Sequence, residues 1–428
     1  YMKIAVVGAG AAGVTAAWAL SSRHDVTLYE KADRVGGHVR TFRTDFYGPE
    51  LAVDLGFVVF NHETYPILTA LFDLLGLETK PGRMTLSLCG GKALSFGTNV
   101  KQTFKANKLK ALDPRFLFLA ANIARFNRKA NRDLRSRKDI SGTIFDYLHE
   151  NRFSDWFFDN YLGPLAAAIW ISTPAHIRNM PARSFLHFFD HHRLLEFSGH
   201  KWRTVCGGAS LYIEKLLETL PQSVRKQCEI SKIVRSEGGV EVTDCHDRTE
   251  SYDQVVMACH PDEALTTMSD ARGLERQLLG TFKSMKNQAI CHADTRLMPD
   301  RRELWASWNC LYGPNWADRR ETMSVTYFLN LIHQIDQSKP VFISVNPHFE
   351  PRRDYTFLEM EFSHVQLDEA AIAAQKRFHE IQGVNRTWFV GSYRGYGFHE
   401  DAVGSGLDVA RAIGCDIPEL PEWRQPDW

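Results

Sequence analysis

The sequence has no excess of either charge. Across its 428 residues, 51 lysines and arginines balance 51 aspartates and glutamates. A neutral chain argues against a nucleic-acid-binding protein, since those proteins carry a basic surface. No apolar run approaches the roughly 18 residues of a membrane-spanning helix. Structured, polar sequence from the first residues shows no secretory leader, so we expect a cytoplasmic protein.

Metal and nucleophile motifs are also missing from the sequence. The eight cysteines stand singly without a CxxC pair, which predicts reduced thiols and neither disulfides nor a zinc site. There is no nucleophile elbow, HExxH or EF-hand loop. On a helix, the adjacent His191 and His192 would diverge by about 100°, which is poor geometry for one metal ion. We therefore expect no metal.

The clearest pattern that is present lies at the amino terminus. Lys3–Val7 reads as a buried strand and is followed by a glycine turn, Gly8–Gly13, and an alanine-rich helix to Leu20. A second strand, Asp25–Tyr29, ends at Glu30. Strand, glycine turn, helix, strand and acid in this order are typical of a dinucleotide-binding βαβ unit.

Each residue of this pattern has a physical role. Gly8 would make the tight turn, Gly10 would let the backbone approach a pyrophosphate, and Gly13 would let helix and strand pack closely. Glu30 lies about 20 residues beyond Gly8, where a carboxylate can bind the ribose 2′-hydroxyl and disfavour NADP. The alternative is a glycine-rich turn that binds no ligand.

A second glycine pair follows the acid. Gly36-Gly37 lies in KADRVGGHVRT and would close a second loop over the phosphates, with Arg34 or Arg40 offsetting their charge. Another strand then ends at Gly56. Because a simple NAD domain does not need the second glycine turn, this arrangement favours FAD.

These segments resemble the flavin-containing amine oxidase superfamily. KADRVGGHVRT followed by VDLGFVVFNHETYP, and GYGFHEDAVGSGLDVARAI near the carboxyl terminus, are similar to its flavin-binding segments. FNHETYP, PLAAAIWISTP and SVTYFLN are similar to a bacterial branch of amine-oxidase-like proteins. The resemblance covers essentially the whole chain. It implies an α/β fold: a Rossmann-like FAD-binding domain with an inserted α+β substrate domain.

The resemblance also implies which residues bind the cofactor. Non-covalent FAD is expected, because Ser392-Tyr393-Arg394 holds no cysteine where monoamine oxidases bind flavin covalently. A backbone amide near Ile230 would read the adenine. A helix starting near Asp401, with Gly404 and Gly406 allowing close approach, would point its positive end at the flavin. The expected cofactor-binding residues are Gly8, Gly10, Ala11, Ala12, Gly13, Glu30, Lys31, Gly36, Gly37, His38, Val39, Gly56, Phe57, Val58, Ile230, Gly391, Ser392, His399, Ala402 and Val403.

Catalytic candidates are fewer, because a flavin performs the hydride chemistry itself. By resemblance, two aromatic side chains would frame the flavin, Phe398 and either Tyr393 or Tyr396, with His399 as the polar group. The alternative for His399 is a helix cap or a backbone contact alone. Family amine oxidases also carry a lysine near the flavin N5, but our alignment places Ala289 there, with Lys286 offset. This departure puts amine oxidation in doubt.

The resemblance divides the chain into interleaved domains. We expect an FAD-binding domain from 1–80, 202–265 and 385–428, and a substrate domain from 81–201 and 266–384. The aromatic residues Trp305, Trp308, Tyr312, Trp316, Tyr327, Phe328, Trp170 and Phe188 would wall an apolar cavity or, equally well, fill a core.

One stretch of the first insert is strongly basic. Residues 101–139 hold 12 lysines and arginines against three aspartates, with apolar residues at helical spacing. Contact with an anionic membrane or an acidic acyl carrier is one interpretation. A solvated helix face is the other, and we favour it.

We therefore expect an FAD-dependent oxidoreductase that takes hydride from a C–H bond of an apolar or lipid-like small molecule, with a fatty-acyl chain as first guess. The alternatives are an amine oxidase that releases hydrogen peroxide, a non-redox flavin-dependent isomerase and an FAD-binding scaffold. The sequence gives neither the electron acceptor nor the oligomeric state.

Overall fold

A computed structural model describes residues 1–90, 96–97, 114–136, 139–170, 172, 174–195, 201–220, 223–315 and 321–426. Residues 101–113 and 137–138 of the basic segment, and Trp316, lie outside the described residues.

Helices and strands alternate through the first part of the chain and again near its end. The helices are α1 (Ala11–Leu20), α2 (Pro66–Leu74), α3 (Pro114–Arg135), α4 (Ile144–Glu150), α5 (Asp155–Phe157), α6 (Gly163–Ile169), α7 (Pro174–Arg178), α8 (Ala182–His191), α9 (Ser210–Leu217), α10 (Pro261–Thr267), α11 (Gly273–Leu279), α12 (Leu329–Ile332), α13 (Glu369–Arg377) and α14 (His399–Ala412). A π-helical turn, Phe158–Leu162, joins α5 to α6.

Among the described residues, the strands fall into three sheets and two short pairs. They are β1 (Lys3–Val7), β2 (Asp25–Tyr29), β3 (Thr41–Thr44), β4 (Leu51–Asp54), β5 (Thr79–Pro81), β6 (Leu86–Gly90), β7 (Phe96–Gly97), β8 (Arg203–Val205), β9 (Val224–Arg225), β10 (Ile230–Ser236), β11 (Gly239–Asp244), β12 (Thr249–Tyr252), β13 (Gln254–Met257), β14 (Lys283–His292), β15 (Trp308–Pro314), β16 (Glu321–Phe328), β17 (Phe342–Val345), β18 (Thr356–Gln366) and β19 (Thr387–Phe389).

The chain divides into two units, each assembled from separate segments. Unit 1 comprises Tyr1–Lys80, Val205–Met285 and His364–Asp427, and unit 2 comprises Pro81–Thr204 and Lys286–Ser363. Residues 266–285 and 364–384, which we expected in the substrate domain, therefore fall in unit 1. The packing explains this, because Phe282 lies 5.2 Å from Tyr393 and 5.9 Å from Phe378, ring centroid to centroid.

Unit 1 is built on a parallel five-stranded sheet in the order β19-β13-β1-β2-β9. Ile4 to Val7 of the central strand β1 are buried, as expected of a strand covered on both faces. Nine of the ten residues of α1 are also buried, so this helix needs small side chains, and five of the nine are alanines. Unit 1 also holds an antiparallel sheet of β10, β11 and β12 and a β3–β4 pair.

Unit 2 contains a seven-stranded sheet in the order β18-β14-β17-β16-β15-β6-β7. The pairing of β15 with β6 is parallel, whereas β15–β16, β16–β17 and β14–β17 are antiparallel. The helices from α3 to α8 pack through aromatic side chains, among them Phe126, Phe153 and Phe157. Together the units give a mixed α/β fold with a parallel sheet.

Several expected absences can be examined among the described residues. The eight cysteines, which all lie among the described residues, are thiols. Within the described part of the chain, no group of three or more histidine, cysteine or acidic side chains could hold a metal ion. The described helices include none that is long and apolar enough to cross a membrane.

Candidate functional site

The glycine turn after β1 is the centre of the candidate site. Gly8 has φ +104°, and its N–H donates to the Tyr29 carbonyl over 2.8 Å, which ties the turn to β2. A side chain here would be strained by the backbone and would lie 2.8 Å from the Ala258 carbonyl oxygen. The turn is therefore restricted to glycine by the fold itself.

Gly13 and Gly406 are restricted for a different reason. A Cβ on Gly13 would overlap the Gly8 carbonyl oxygen, and one on Gly406 would lie 2.6 Å from the Ala12 carbonyl oxygen. These glycines let α1 approach both the turn and α14. The Gly404 position is filled by the Trp423 ring, so the space at Gly404 and Gly406 is used for packing within the protein.

Gly10 differs from its neighbours, because nothing in the fold requires a glycine there. Its backbone is ordinary, with φ −74° and ψ −178°, and a Cβ would meet only the Gly37 Cα, at 4.0 Å. The open space lies at the start of α1, whose first turn carries no acidic residue. A helix start with free N–H groups attracts anions. The site therefore fits the pyrophosphate of a dinucleotide.

The second glycine loop is held directly against the first. The Gly36 N–H donates to the Ala9 carbonyl over 2.7 Å, and Gly10 and Gly36 form a parallel bridge. The Arg34 guanidinium donates to the Gly37 carbonyl over 2.8 Å. Burial lowers the pKa of Arg34, with neighbouring Arg40 contributing. Arg34 thus fixes the loop shape and adds positive charge beside it.

Glu30 is placed by backbone donors. Its carboxylate accepts from the N–H groups of Ala9 and Ala32, each over 2.9 Å. A carboxylate has about four acceptor positions, so these two bonds do not use all of them. Lys31 forms an ion pair with Glu263 at the start of α10, which turns its ammonium group toward that helix.

A stacked pair of histidines lies beside the second loop. The His38 and His364 ring centroids are 5.2 Å apart. Burial lowers the pKa of His38 to about 3 and that of His364 to about 4, with His364 and His260 respectively adding charge repulsion. The pair is therefore neutral at physiological pH. The His38 carbonyl accepts from the Phe57 N–H over 3.1 Å, and a Cβ on Gly56 would overlap this carbonyl.

His399 sits between two aromatic rings. Its ring stacks on Phe57 with a centroid distance of 4.0 Å, and its Nε2 lies 2.6 Å from the Tyr212 hydroxyl. Burial lowers its pKa to about 3, so the imidazole is neutral. It is the first residue of α14, and these contacts fix its ring. With so low a pKa, the His399 side chain is a poor general base near pH 7.

The remaining carboxyl-terminal candidates surround the start of α14. Phe398 is the N-cap residue, and its N–H donates to Asp401 over 3.1 Å. Ser392 accepts from the N–H groups of Gly395 and Gly397, which folds the loop that carries Tyr396. The Gly391 N–H donates to Ser405 over 2.9 Å. Tyr396, Phe398 and Ala402 are half-buried, whereas Val403 is fully buried.

The first turn of α14 carries two buried acidic residues, Glu400 and Asp401. When ionised, their carboxylates would offset the positive charge that we expected at this end of the helix. Burial raises the pKa of Glu400 to about 8 and that of Asp401 to about 7. Glu400 accepts from the N–H groups of Ile67 and Leu68, over 2.8 and 3.0 Å, and so caps α2. No local pattern predicts this contact, because 333 residues separate Glu400 from Ile67.

Other predicted positions are placed as follows. Ile230 is buried at the start of β10, opposite Asp244, while Val39 is buried and Val58 is half-buried. In unit 2, Ala289 is fully buried in β14 and paired with Val345. The Lys286 ammonium is exposed and forms an ion pair with Glu361 over 3.0 Å. The structure thus gives Lys286 a surface partner.

The chain is similar to one known protein family and to several solved structures. Residues 11–293 match the sequence pattern of a family described as flavin containing amine oxidoreductase. No curated protein sequence matches the chain. Among solved structures, a putative protoporphyrinogen oxidase from Exiguobacterium sp. 255-15 is similar with a TM-score of 0.69 and 14% identity, over 96% of this chain and 98% of that one.

Two further structures share the fold over 96% of this chain. Cyclohexylamine oxidase from Brevibacterium oxydans IH-35A has a TM-score of 0.67 at 16% identity and is covered over 98% of its length. A CLA-producing fatty acid isomerase from P. acnes has a TM-score of 0.66 at 16% identity and is covered over 99%. At these identities, the likeness establishes the fold and leaves the substrate open.

Proposed function

The chain belongs to the flavin-containing amine oxidoreductase family, and from that premise we propose that it is an FAD-dependent oxidoreductase that acts on a C–H bond of an apolar, lipid-like substrate. The family, the oxidoreductase class and the use of FAD follow from the sequence match. The substrate class, the individual site residues and non-covalent attachment are our proposals. When bound, FAD supplies a two-electron acceptor at N5 of its ring.

The open space at Gly10 is the observation that supports the cofactor site. Gly8 and Gly13 are explained by contacts within the chain, whereas a Cβ on Gly10 would meet only the Gly37 Cα at 4.0 Å, which leaves room there for a ligand. The N–H groups at the start of α1 and the loop held by Arg34 would bind the phosphates. Glu30 would bind the adenosine ribose, and the segment around Ile230 the adenine.

The residues near α14 would orient the cofactor and exclude water. We propose that Tyr396 and Phe398 present their rings to the flavin, because both are half-buried around the first turn of this helix. His399 would position Phe57 and Tyr212 through its stacking and hydrogen bond. As a neutral group with a low pKa, it would act by position and not by proton transfer.

An apolar substrate is supported by the aromatic surface of unit 2. Trp308 stacks on Tyr327 with ring centroids 5.8 Å apart, and both are half-buried. They pack on a buried cluster of Leu88, Ala168, Cys310 and Val325. Trp305 and Phe328 instead pack around Phe342 in a core, so they support no cavity.

Amine oxidation is the second candidate because amine oxidases share the family and the fold. The contacts of Ala289 and Lys286 weigh against it. A lysine near N5 would have to replace a fully buried alanine in β14, and Lys286 is engaged with Glu361. A flavin-dependent isomerase and an FAD-binding scaffold remain alternative functions. A peripheral membrane or acyl-carrier contact through residues 101–139 remains a separate proposal about partners.

Anaerobic titration of the purified flavoprotein tests these candidates. Denaturation and filtration come first, and we expect free FAD in the filtrate. We then expect a long-chain fatty acid or its thioester to bleach the visible flavin absorbance, whereas primary amines leave it unchanged. Bleaching and peroxide release by amines alone would establish the amine oxidase. Product formation without net bleaching would indicate an isomerase, and no response to any compound would support the scaffold.

A further inference from the structure

Helix α3 of unit 2 exposes large apolar side chains near its start. Leu117 is 65% exposed and Phe118 is 50% exposed. The Phe118 ring lies 5.7 Å from the ring of half-buried Trp156. Aromatic and aliphatic groups that share an exposed patch commonly mark an interaction surface.

Leu117 lies on the side of α3 that faces away from the core, and Phe118 lies at the edge of that side. Leu119, Phe126 and Ala130 are buried, with Phe126 packed on Phe153 and Phe157. At about 100° per residue, Leu117 projects from nearly the same side of the helix as Arg128 and Arg135. Phe118 and Arg132 lie within about 100° of Leu117. We call Leu117, Phe118, Arg128, Arg132 and Arg135 the α3 outer face.

The charge of the α3 outer face is positive throughout. The helix carries six arginines and lysines against one acid, Asp133. Asp133 is buried, where it binds Lys129 and accepts from the Tyr147 hydroxyl over 2.9 Å. Arg128, Arg132 and Arg135 are exposed. The α3 outer face therefore exposes basic and apolar side chains to solvent, and the helix itself places no exposed carboxylate beside them.

We propose that the α3 outer face docks on an anionic phospholipid bilayer, with Leu117, Phe118 and Trp156 entering the interface and the arginines binding lipid phosphates. Basic residues beside exposed leucine and aromatic side chains are the composition of interfacial helices. Trp156 suits the headgroup level, because tryptophan is amphipathic. We choose a bilayer over an acidic protein because Leu117 and Phe118 are exposed. A partner that bound only through ion pairs would not require these apolar side chains. The proposal holds whatever reaction the flavin site performs.

Vesicle binding of the full-length flavoprotein tests the proposal. The assay compares sedimentation with phosphatidylcholine vesicles and with vesicles that also contain phosphatidylglycerol. We expect binding only to the anionic vesicles, with an affinity that falls as salt rises. Arg128→Glu with Arg132→Glu should weaken binding by at least about tenfold, since basic residues near an anionic surface strengthen membrane binding. Leu117→Ser with Phe118→Ser should also weaken it.

Matched controls separate docking from general charge and from misfolding. Arg301→Glu with Arg353→Glu makes the same charge change at exposed sites elsewhere in unit 2. Leu74→Ser with Phe46→Ser removes similarly exposed apolar groups in unit 1. Both controls should bind like the parent, and all variants should keep the parent FAD content and melting temperature. Equal binding to neutral vesicles, or full binding by both α3 variants, would overturn the proposal. The proposal would also be overturned if the parent bound no vesicles but self-associated, and if the α3 variants lost that self-association. The α3 outer face would then bind a second copy of the chain.

Discussion

Glycines at the turn after β1 differ in what requires them, and single substitutions should separate these requirements. Gly10→Ala should weaken FAD binding by at least about tenfold, because its methyl group would project into the space we assign to the pyrophosphate. The FAD-free protein should lose no more than about 1 kcal/mol of unfolding free energy, from a poorer helix N-cap. Fluorescence titration with FAD and urea denaturation measure the two effects.

Gly13→Ala serves as the matched variant. Its methyl group would overlap the Gly8 carbonyl oxygen, so the FAD-free protein should lose about 1–3 kcal/mol of unfolding free energy. If Gly10→Ala bound FAD normally, or if both variants were equally destabilised without FAD, the ligand-based explanation of Gly10 would be wrong.

Glu400 should make stability depend on pH. Its folded pKa is about 8 against an ordinary value of 4.5, so between these values the folded state holds a proton that the unfolded state has lost. Stability from this group is therefore complete at low pH and is lost as pH rises toward about 8. Denaturation of the parent and of Glu400→Gln at pH 6, 7, 8 and 9 should show a steeper decline in the parent.

The glutamine variant is informative because its amide oxygen can still accept from the start of α2. Histidines with lowered pKa values, such as His38, act in the opposite direction and only at lower pH, so they do not obscure the comparison above neutrality. Parallel pH profiles for parent and variant would contradict the elevated pKa.

At the scale of whole elements, one buried arginine joins three of them. Arg235 of β10, 2% exposed in its side chain, donates to Glu275 of α11 over 2.6 and 2.7 Å and to Thr387 of β19 over 3.2 Å. It also donates to Asp270 over 3.0 Å. Arg235→Ala should cost about 3–5 kcal/mol, because it leaves the buried Glu275 carboxylate unpaired. Urea denaturation measures this loss.

Arg377→Ala provides the exposed comparison. Its ion pair with Glu380 lies on the surface, where such pairs contribute about 0–1 kcal/mol. A loss at Arg235 no larger than the loss at Arg377 would show that the buried network does not hold these elements together.

The difference between what the sequence predicted and what it missed follows the distance between partners along the chain. β1, the glycine turn, α1 and β2 are encoded by neighbouring residues, so their pattern was readable and the family and fold predictions are confirmed. The Glu400 cap on α2 and the His38–His364 stack join residues hundreds of positions apart, and no local spacing encodes them. The cofactor-binding and catalytic residue assignments stay predictions.

For the whole molecule, the assignment of FAD to unit 1 can be tested by hydrogen exchange. Adding FAD to the FAD-free protein should slow amide exchange in β1, α1 and the start of α14, since at one hundred times Kd a ligand adds about 2.7 kcal/mol of stability. Residues 266–285 and 364–384 should be slowed with them, because they belong to unit 1. The seven-stranded sheet residues within unit 2 should change least, and Gly10→Ala at the same FAD concentration should reduce the effect throughout. Protection mainly in unit 2 would contradict the assignment of FAD to unit 1. Protection that stopped at the boundaries of 202–265 and 385–428 would show that FAD stabilises only the domain expected from the sequence, and not the whole of unit 1.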